Sequence, residues 1–304
     1  MDDSEGFAQR EQDMEYKIKN EFLTVIVSDR GAELQSVKGS DGTEYLWQGN
    51  QEIWGDRAPN IFPYVARMTD GKYTVYGNEY RMKIHGFVMY ATLQMERQSE
   101  DSLTFCLESN EATREQYPFD FTYRITYILK EHTLKIVTGV ENRSDRRMYF
   151  GTGGHPGFNV PLEDGFAFSD YYLEFDQPSK PTRVGFTEAC FLNGRDEPYA
   201  LENNRRIPLR HDLFDEDAIV LKNTARSVRL VCDGGRHSVT VSWPEHGYIG
   251  FWHMPRMEAP YVCIEPWSSL PSRDGVVENL AQQSDLIGLD AGKTYENTWT
   301  IEIQ

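Results

Sequence analysis

The chain has 304 residues, enough to bury a substantial core without disulfide or metal staples. Its formal charge of −17 argues against nucleic acid or anionic membrane as a main partner, because both would repel such a surface. No stretch approaches the apolar length of a membrane span, and the acidic, polar opening "MDDSEGFAQREQDMEY" lacks the basic-then-apolar pattern of a secretory signal.

Residues 1–14 carry no pattern and are expected to form a mobile tail, with a domain over 15–304. "KYTVYGNEYRM" reads as a hairpin turning at Gly77-Asn78. "IHGFVMY" sets His85 beside a glycine that lets a ligand or backbone approach closely. "SLTFCLES" and "FTYRITYIL" are strands, the second alternating Phe121, Tyr123, Ile125, Tyr127 and Leu129 with Thr122, Arg124 and Thr126. "GTGGHPGFNVPL" then places His155 in a glycine- and proline-lined frame.

Further on, "SVTVSW" alternates Val239, Val241 and Trp243 with Ser238, Thr240 and Ser242. "APYVCIEPW" ends an apolar run on Glu265, and "TWTIEI" closes the chain with Trp299, Ile301 and Ile303 on one face. Gly, Asn and Asp clusters such as "SDGTEY", "ENRSD" and "DAGKTY" punctuate these segments. Helical periodicity is hard to find. The expected fold is therefore all-β, a large antiparallel β-sandwich in one domain, since sandwiches of this length need no second one.

The four cysteines, Cys106, Cys190, Cys232 and Cys263, form no CxxC pair and read as free thiols in a reducing cytoplasm. The seven histidines make no HExxH pair or compact metal cluster, and there is no GxSxG elbow, P-loop or dinucleotide fingerprint. No metal or cofactor is expected. Three segments remain as candidates for chemistry, those holding His85, His155 and Glu265. An acid ending an apolar run is partly desolvated, which makes it a stronger base near neutrality. The plain alternative for Glu265 is a strand-end carboxylate bonded to a nearby amide, and for His155 a satisfied core histidine.

Taken together and in order, these segments resemble the aldose 1-epimerase (mutarotase) family, closest to its shorter branch of generic aldose epimerases. The likeness starts in "GAELQSVKGSDGTEYLWQGNQEIW" and continues through "RAPNIFPYVARMTDGKYTVYGNEYRMKIHGF", "GGHPGFNVPL", "LFDEDAIVL" and "APYVCIEPW". It implies the galactose mutarotase-like supersandwich and the interconversion of α and β anomers of a free hexose such as galactose or glucose, with no cofactor.

By that resemblance Glu265 would be the base at the C1 hydroxyl and His155 the acid at the ring oxygen. His85 and Arg67 would hold the sugar, and Asp217 would accept from its hydroxyls, with Asp215 as rival. Trp252, Trp267 and Phe158 would supply an apolar stacking face or pack in the core. His132, His211, His237, His246 and His253 fall outside the matched motifs. Ala66 stands where the branch usually has glycine, and "SSLPSRDGVVEN" is longer than its compact turn.

The partner is then a small-molecule sugar, with no nucleic acid and no membrane. A homodimer stays open. Two other readings also stay open: a hexose-6-phosphate mutarotase using Arg57, Arg81 or Arg273, and a non-catalytic carbohydrate-binding protein on the same fold.

Overall fold

The computed structural model describes residues 13–304, so most of the expected tail lies outside the described residues. Its last residue, Met14, is already fastened. The Met14 N–H donates to Asp29 Oδ1 at 3.0 Å, and the Met14 carbonyl accepts from the Asp29 N–H.

Two antiparallel sheets form the body. One has nine strands, in the order Arg206–Pro208, Tyr171–Phe175, Ser227–Cys232, Val239–Ser242, Thr294–Ile303, Thr133–Asn142, Phe121–Lys130, Ser102–Glu108 and Gln94–Gln98. The alternation read from sequence sets its faces. Phe121, Tyr123, Ile125, Tyr127 and Leu129 are all buried, as are Trp299, Ile301 and Ile303, while Thr300 and Glu302 between them are half-buried. Cys106, Cys232 and Cys263 lie in strands, and all four thiols are free, with Cys106 and Cys190 half-buried.

The second sheet runs Glu197–Pro198, Thr182–Arg183, Ile219–Lys222, Tyr248–Trp252, Tyr261–Trp267, Gly153–Gly154 and Asn60–Ile61, with Gly157–Asn159 also paired to Tyr261–Trp267. All seven residues of Tyr261–Trp267 are buried, because both of its faces are covered. Val262 and Ile264 enter the main core between the sheets, beside Ile249, Phe251, Ile219 and Leu221. The opposite face carries Tyr261, Cys263, Glu265 and Trp267, packed with Trp47, Trp54, Trp252, Val220 and Val184. Period-2 geometry therefore hands this strand's even positions to the core and its odd positions to a second, outward surface.

One reading needs correction. The hairpin Lys72–Val75 with Asn78–Arg81 pairs Val75 with Asn78, so its turn is Tyr76-Gly77 rather than Gly77-Asn78. Both turn residues have positive φ, 50° and 81°, as the right-handed strand twist requires of a two-residue connection. Of the two roles left open for Phe158, the structure selects the core one: it is fully buried in the main core and offers no stacking face.

Candidate active site

Strand register builds the centre of the site. Gly153 pairs with Trp267 and Gly157 with Cys263, which leaves His155, midway between them, opposite Glu265. On the other side Gly250 pairs with Glu265. A row of His155, Glu265 and Gly250 thus crosses the outward surface of the sheet. A Cβ at Gly250 would lie 3.4 Å from Glu265 Cβ and 3.7 Å from its Cδ, so the glycine leaves the carboxyl uncrowded.

His155 Nε2 and Glu265 Oε2 are 3.2 Å apart, with the side chains 12% and 1% exposed. Neither Glu265 Oε2 nor His155 Nδ1 makes a hydrogen bond, so the pair retains buried capacity for a ligand. Burial pushes the Glu265 carboxyl well above the usual carboxylate range, and the Asp217 charge pushes it further. Burial also lowers the His155 imidazole, to about 4. Both shifts favour the uncharged form, a carboxylic acid beside a neutral imidazole, and the titration belongs to both groups together.

Aromatic rings wall the pair from water. Trp54 lies against His155 at 5.1 Å between centroids, and Trp252 meets it edge-on at 5.5 Å. His85 meets His155 edge-on at 5.5 Å and tilts over Trp267 at 6.3 Å.

His85 and Ala66 hold each other. The His85 N–H donates to the Ala66 carbonyl at 2.8 Å, and His85 Nδ1 accepts from the Ala66 N–H at 3.2 Å. An accepting Nδ1 assigns the proton of the neutral ring to Nε2. Burial, then His155 and Arg67, keep that ring neutral by lowering its pKa far below the usual value, so His85 presents a fixed N–H donor. Both backbones are left-handed, at φ 60° for His85 and 57° for Ala66, which explains the glycine expected at residue 66. Gly86 is needed next, since a Cβ there would lie 2.2 Å from the Phe62 carbonyl oxygen.

These groups line a cavity of about 260 Å³, at the small end for a small-molecule site. Arg67, Asp217, Trp252, Trp267 and Pro271 line it as well. Asp217, two residues before the strand Ile219–Lys222, is left-handed at φ 78° and accepts from Ala218 N at 2.8 Å. Asp215 is exposed and does not reach the cavity, so the structure separates the two rivals. His132, His211, His237, His246 and His253 do not line it, nor do Arg57, Arg81 and Arg273. Arg57 donates to the Gln35 carbonyl and Arg273 pairs with Glu278. The longer segment after Trp267 contributes Pro271 to the wall.

Sequence reading passed over Trp54, Asp56, Cys190, Glu216 and Gly250. A glycine inside the apolar run "YIGFW" was the available signal for Gly250. The lone acids and cysteine carried none. Donor atoms of His155, Cys263 and Glu265 lie within 4.8 Å of one another. Burial, then the nearby Glu265 carboxyl, push the Cys263 thiol well above its ordinary pKa, so without a metal it is a neutral thiol beside the pair.

Among the described residues no helix is long and apolar enough to cross a membrane. Protein LacX, plasmid-encoded in Lactococcus lactis subsp. lactis, is 30% identical over 292 residues, covering 92% of this chain and 97% of that protein. The X-ray structure of a galactose mutarotase related enzyme from Lactobacillus acidophilus superimposes with a TM-score of 0.91 at 34% identity, over 96% of this chain and 97% of the other. A galactose mutarotase-like protein from Lactobacillus casei gives the same TM-score at 29% identity, over 96% and 100% of the two chains. With the aldose 1-epimerase profile matching residues 14–281, the chain belongs to the aldose 1-epimerase family.

Proposed function

We propose that the protein is an aldose 1-epimerase acting on a free, uncharged hexose such as galactose or glucose. The observation that carries this reading is the buried His155–Glu265 pair, 3.2 Å apart in a sugar-sized cavity. Ring opening needs one group to take the C1 hydroxyl proton and another to give a proton to the ring oxygen. The reactive form is the one in which the shared proton has moved from Glu265 to His155, so that Glu265 as carboxylate and His155 as imidazolium do this together. The C1–O bond to the ring oxygen breaks, and the proton ends on Glu265 while His155 becomes neutral. The aldehyde turns about its bond to C2, and closure on the other face returns both protons to their starting atoms. The count of one proton on the pair never changes, so no cofactor enters. Each group contributes roughly 10²–10⁴-fold by general acid–base catalysis.

His85 would donate through Nε2 near the ring oxygen, Arg67 would donate to ring hydroxyls with its planar fork, and Asp217 would accept from hydroxyls. Trp54, Trp252 and Trp267 exclude water. Charge on the cavity wall favours a neutral sugar over a phosphorylated one. Asp56, Glu216 and Asp217 line it against a single guanidinium, Arg67. Four free thiols fit work in a reducing cytoplasm.

The test is polarimetry of freshly dissolved α-D-galactose, α-D-glucose and glucose 6-phosphate, with wild type, Glu265→Gln and His155→Asn. Wild type should speed mutarotation of the neutral sugars and neither variant should. Mutarotation no faster than buffer for every sugar overturns the reading. Activity confined to the phosphate ester replaces it with the hexose-phosphate enzyme, and activity that survives both substitutions removes the acid–base assignment.

A further inference from the structure

Arg67 and Asp217 both lie outside strands, so the sheet ladder does not fix their side chains. Both are instead held by one turn that the proposed chemistry does not use. We propose that the Thr187–Leu192 turn positions the sugar-holding residues, with Cys190 as the positioning residue for Asp217; this rests on the epimerase reading above.

The turn is closed by backbone bonds from Thr187 N to the Phe191 carbonyl at 2.8 Å and from Cys190 N to the Thr187 carbonyl at 2.9 Å. Cys190 itself is left-handed, at φ 62°. From this turn the Ala189 carbonyl accepts Arg67 Nη1 at 3.3 Å, and the Cys190 thiol donates to Asp217 Oδ2 at 3.0 Å. Asp217 Oδ1 is already taken by the Ala218 N–H, so the carboxylate is pinned at both oxygens. An ionised carboxylate has about four acceptor sites, which leaves capacity for sugar hydroxyls in a fixed direction.

The far side of the turn is clamped too. Leu192 N donates to the Ser272 carbonyl at 3.0 Å, and the Leu192 carbonyl accepts from Asp274 N at 3.0 Å. Ser272 N in turn donates to the Arg67 carbonyl at 3.1 Å. A closed circuit therefore runs from the Arg67 side chain through the turn to Ser272 and back to the Arg67 backbone, with Asp217 attached to it through Cys190. Burial, then the Asp217 carboxylate, push the Cys190 thiol up to about 12, so it remains a donor throughout the working pH range. The half-buried Cys190 packs outside the main core, so trimming it does not open a core cavity.

The experiment measures sugar affinity by fluorescence of the cavity tryptophans, and KM and kcat by polarimetry, for Cys190→Ala, Cys190→Ser and Asp217→Asn, plus Cys190→Ala combined with Asp217→Asn. Losing one hydrogen bond that orients Asp217 should raise Kd and KM about fivefold in Cys190→Ala, with kcat within roughly twofold of wild type. Cys190→Ser keeps a donor and should recover most of that loss. On the Asp217→Asn background Cys190→Ala should add less than about twofold, because the two act as a unit.

Wild-type Kd and KM in Cys190→Ala, equal loss in Cys190→Ser, or an undiminished effect on the Asp217→Asn background each overturn the inference. If wild type turns sugars over and Cys190→Ala matches it, only the positioning role fails. If wild type binds sugar without turnover, the epimerase reading fails while the Kd series still decides the positioning role. If it neither binds nor turns over galactose or glucose, both fail.

Discussion

Replacing Glu265 by glutamine should abolish mutarotation and stabilise the protein, with a pH dependence that reports the proton on the pair. In the folded protein burial raises the carboxyl's pKa far above the 4.5 it has when the chain is unfolded. The folded state therefore binds a proton that the unfolded state releases, and stability falls as pH rises above 4.5. The cost grows by about 1.4 kcal/mol per pH unit until the folded carboxyl itself titrates. Glutamine has the same shape as the protonated acid and no proton to lose. Its advantage should be near zero at about pH 4 and appear by pH 6, then level off at the folded titration point. For a chain of this size each kcal/mol moves the melting temperature by roughly 2–4 °C. Thermal melts of the two proteins, read as a difference at each pH, cancel the contribution of every shared group not coupled to Glu265, and so report the His155–Glu265 pair. A difference that does not change with pH refutes the buried-neutral assignment. A glutamine variant less stable than wild type at neutral pH refutes it more sharply, since that result marks a charged Glu265–His155 ion pair.

For wild type, kcat/KM should fall on both sides of neutrality. The acid limb should lie near pH 4, where burial places the second protonation, on His155, rather than near the ordinary imidazole value of 6.5. A limb at about 6.5 would contradict the burial argument. Gly250→Ala should be tolerated, because 3.4 and 3.7 Å are ordinary contacts, whereas Gly250→Val should push the Glu265 carboxyl off its row. The valine variant should lose about tenfold or more in kcat with an unchanged circular dichroism spectrum, the usual cost of misplacing a reacting group by a fraction of an ångström; full activity would show that the row tolerates crowding. At residue 66, glycine should match wild type in melting temperature and KM. Valine, forced into a left-handed backbone, should cost about 1–3 kcal/mol and raise KM by unseating His85.

The strands were legible because alternation is local. "FTYRITYIL" and "TWTIEI" declare their buried faces within a few residues, and those faces are buried in the structure. The site was legible only as separate segments. His155 and Glu265 become neighbours through a register between strands more than a hundred residues apart, and no local pattern encodes such a pairing. The two acids of "LFDEDAIVL" could not be told apart because both are short, polar and close to a strand. A left-handed backbone at Asp217 and a thiol from a distant turn distinguish them. Phe158 had two open roles, and the structure decides between them. It lies near His155 in sequence, but period-2 geometry sends it to the opposite face of the sheet.

The row of His155, Glu265 and Gly250 is set by backbone hydrogen bonds between strands, whereas Arg67, His85 and Asp217 hang from loops with left-handed turns. The two sets of residues therefore sit on mechanically separate parts. Under the proposed function, loops could be lengthened or exchanged to change which aldose fits, while the His155–Glu265 spacing stays fixed by the sheet. On that proposal anomer chemistry and sugar choice are free to diversify independently, and a library of loop variants grafted onto this sheet should vary far more in KM across sugars than in kcat for the sugars that fit.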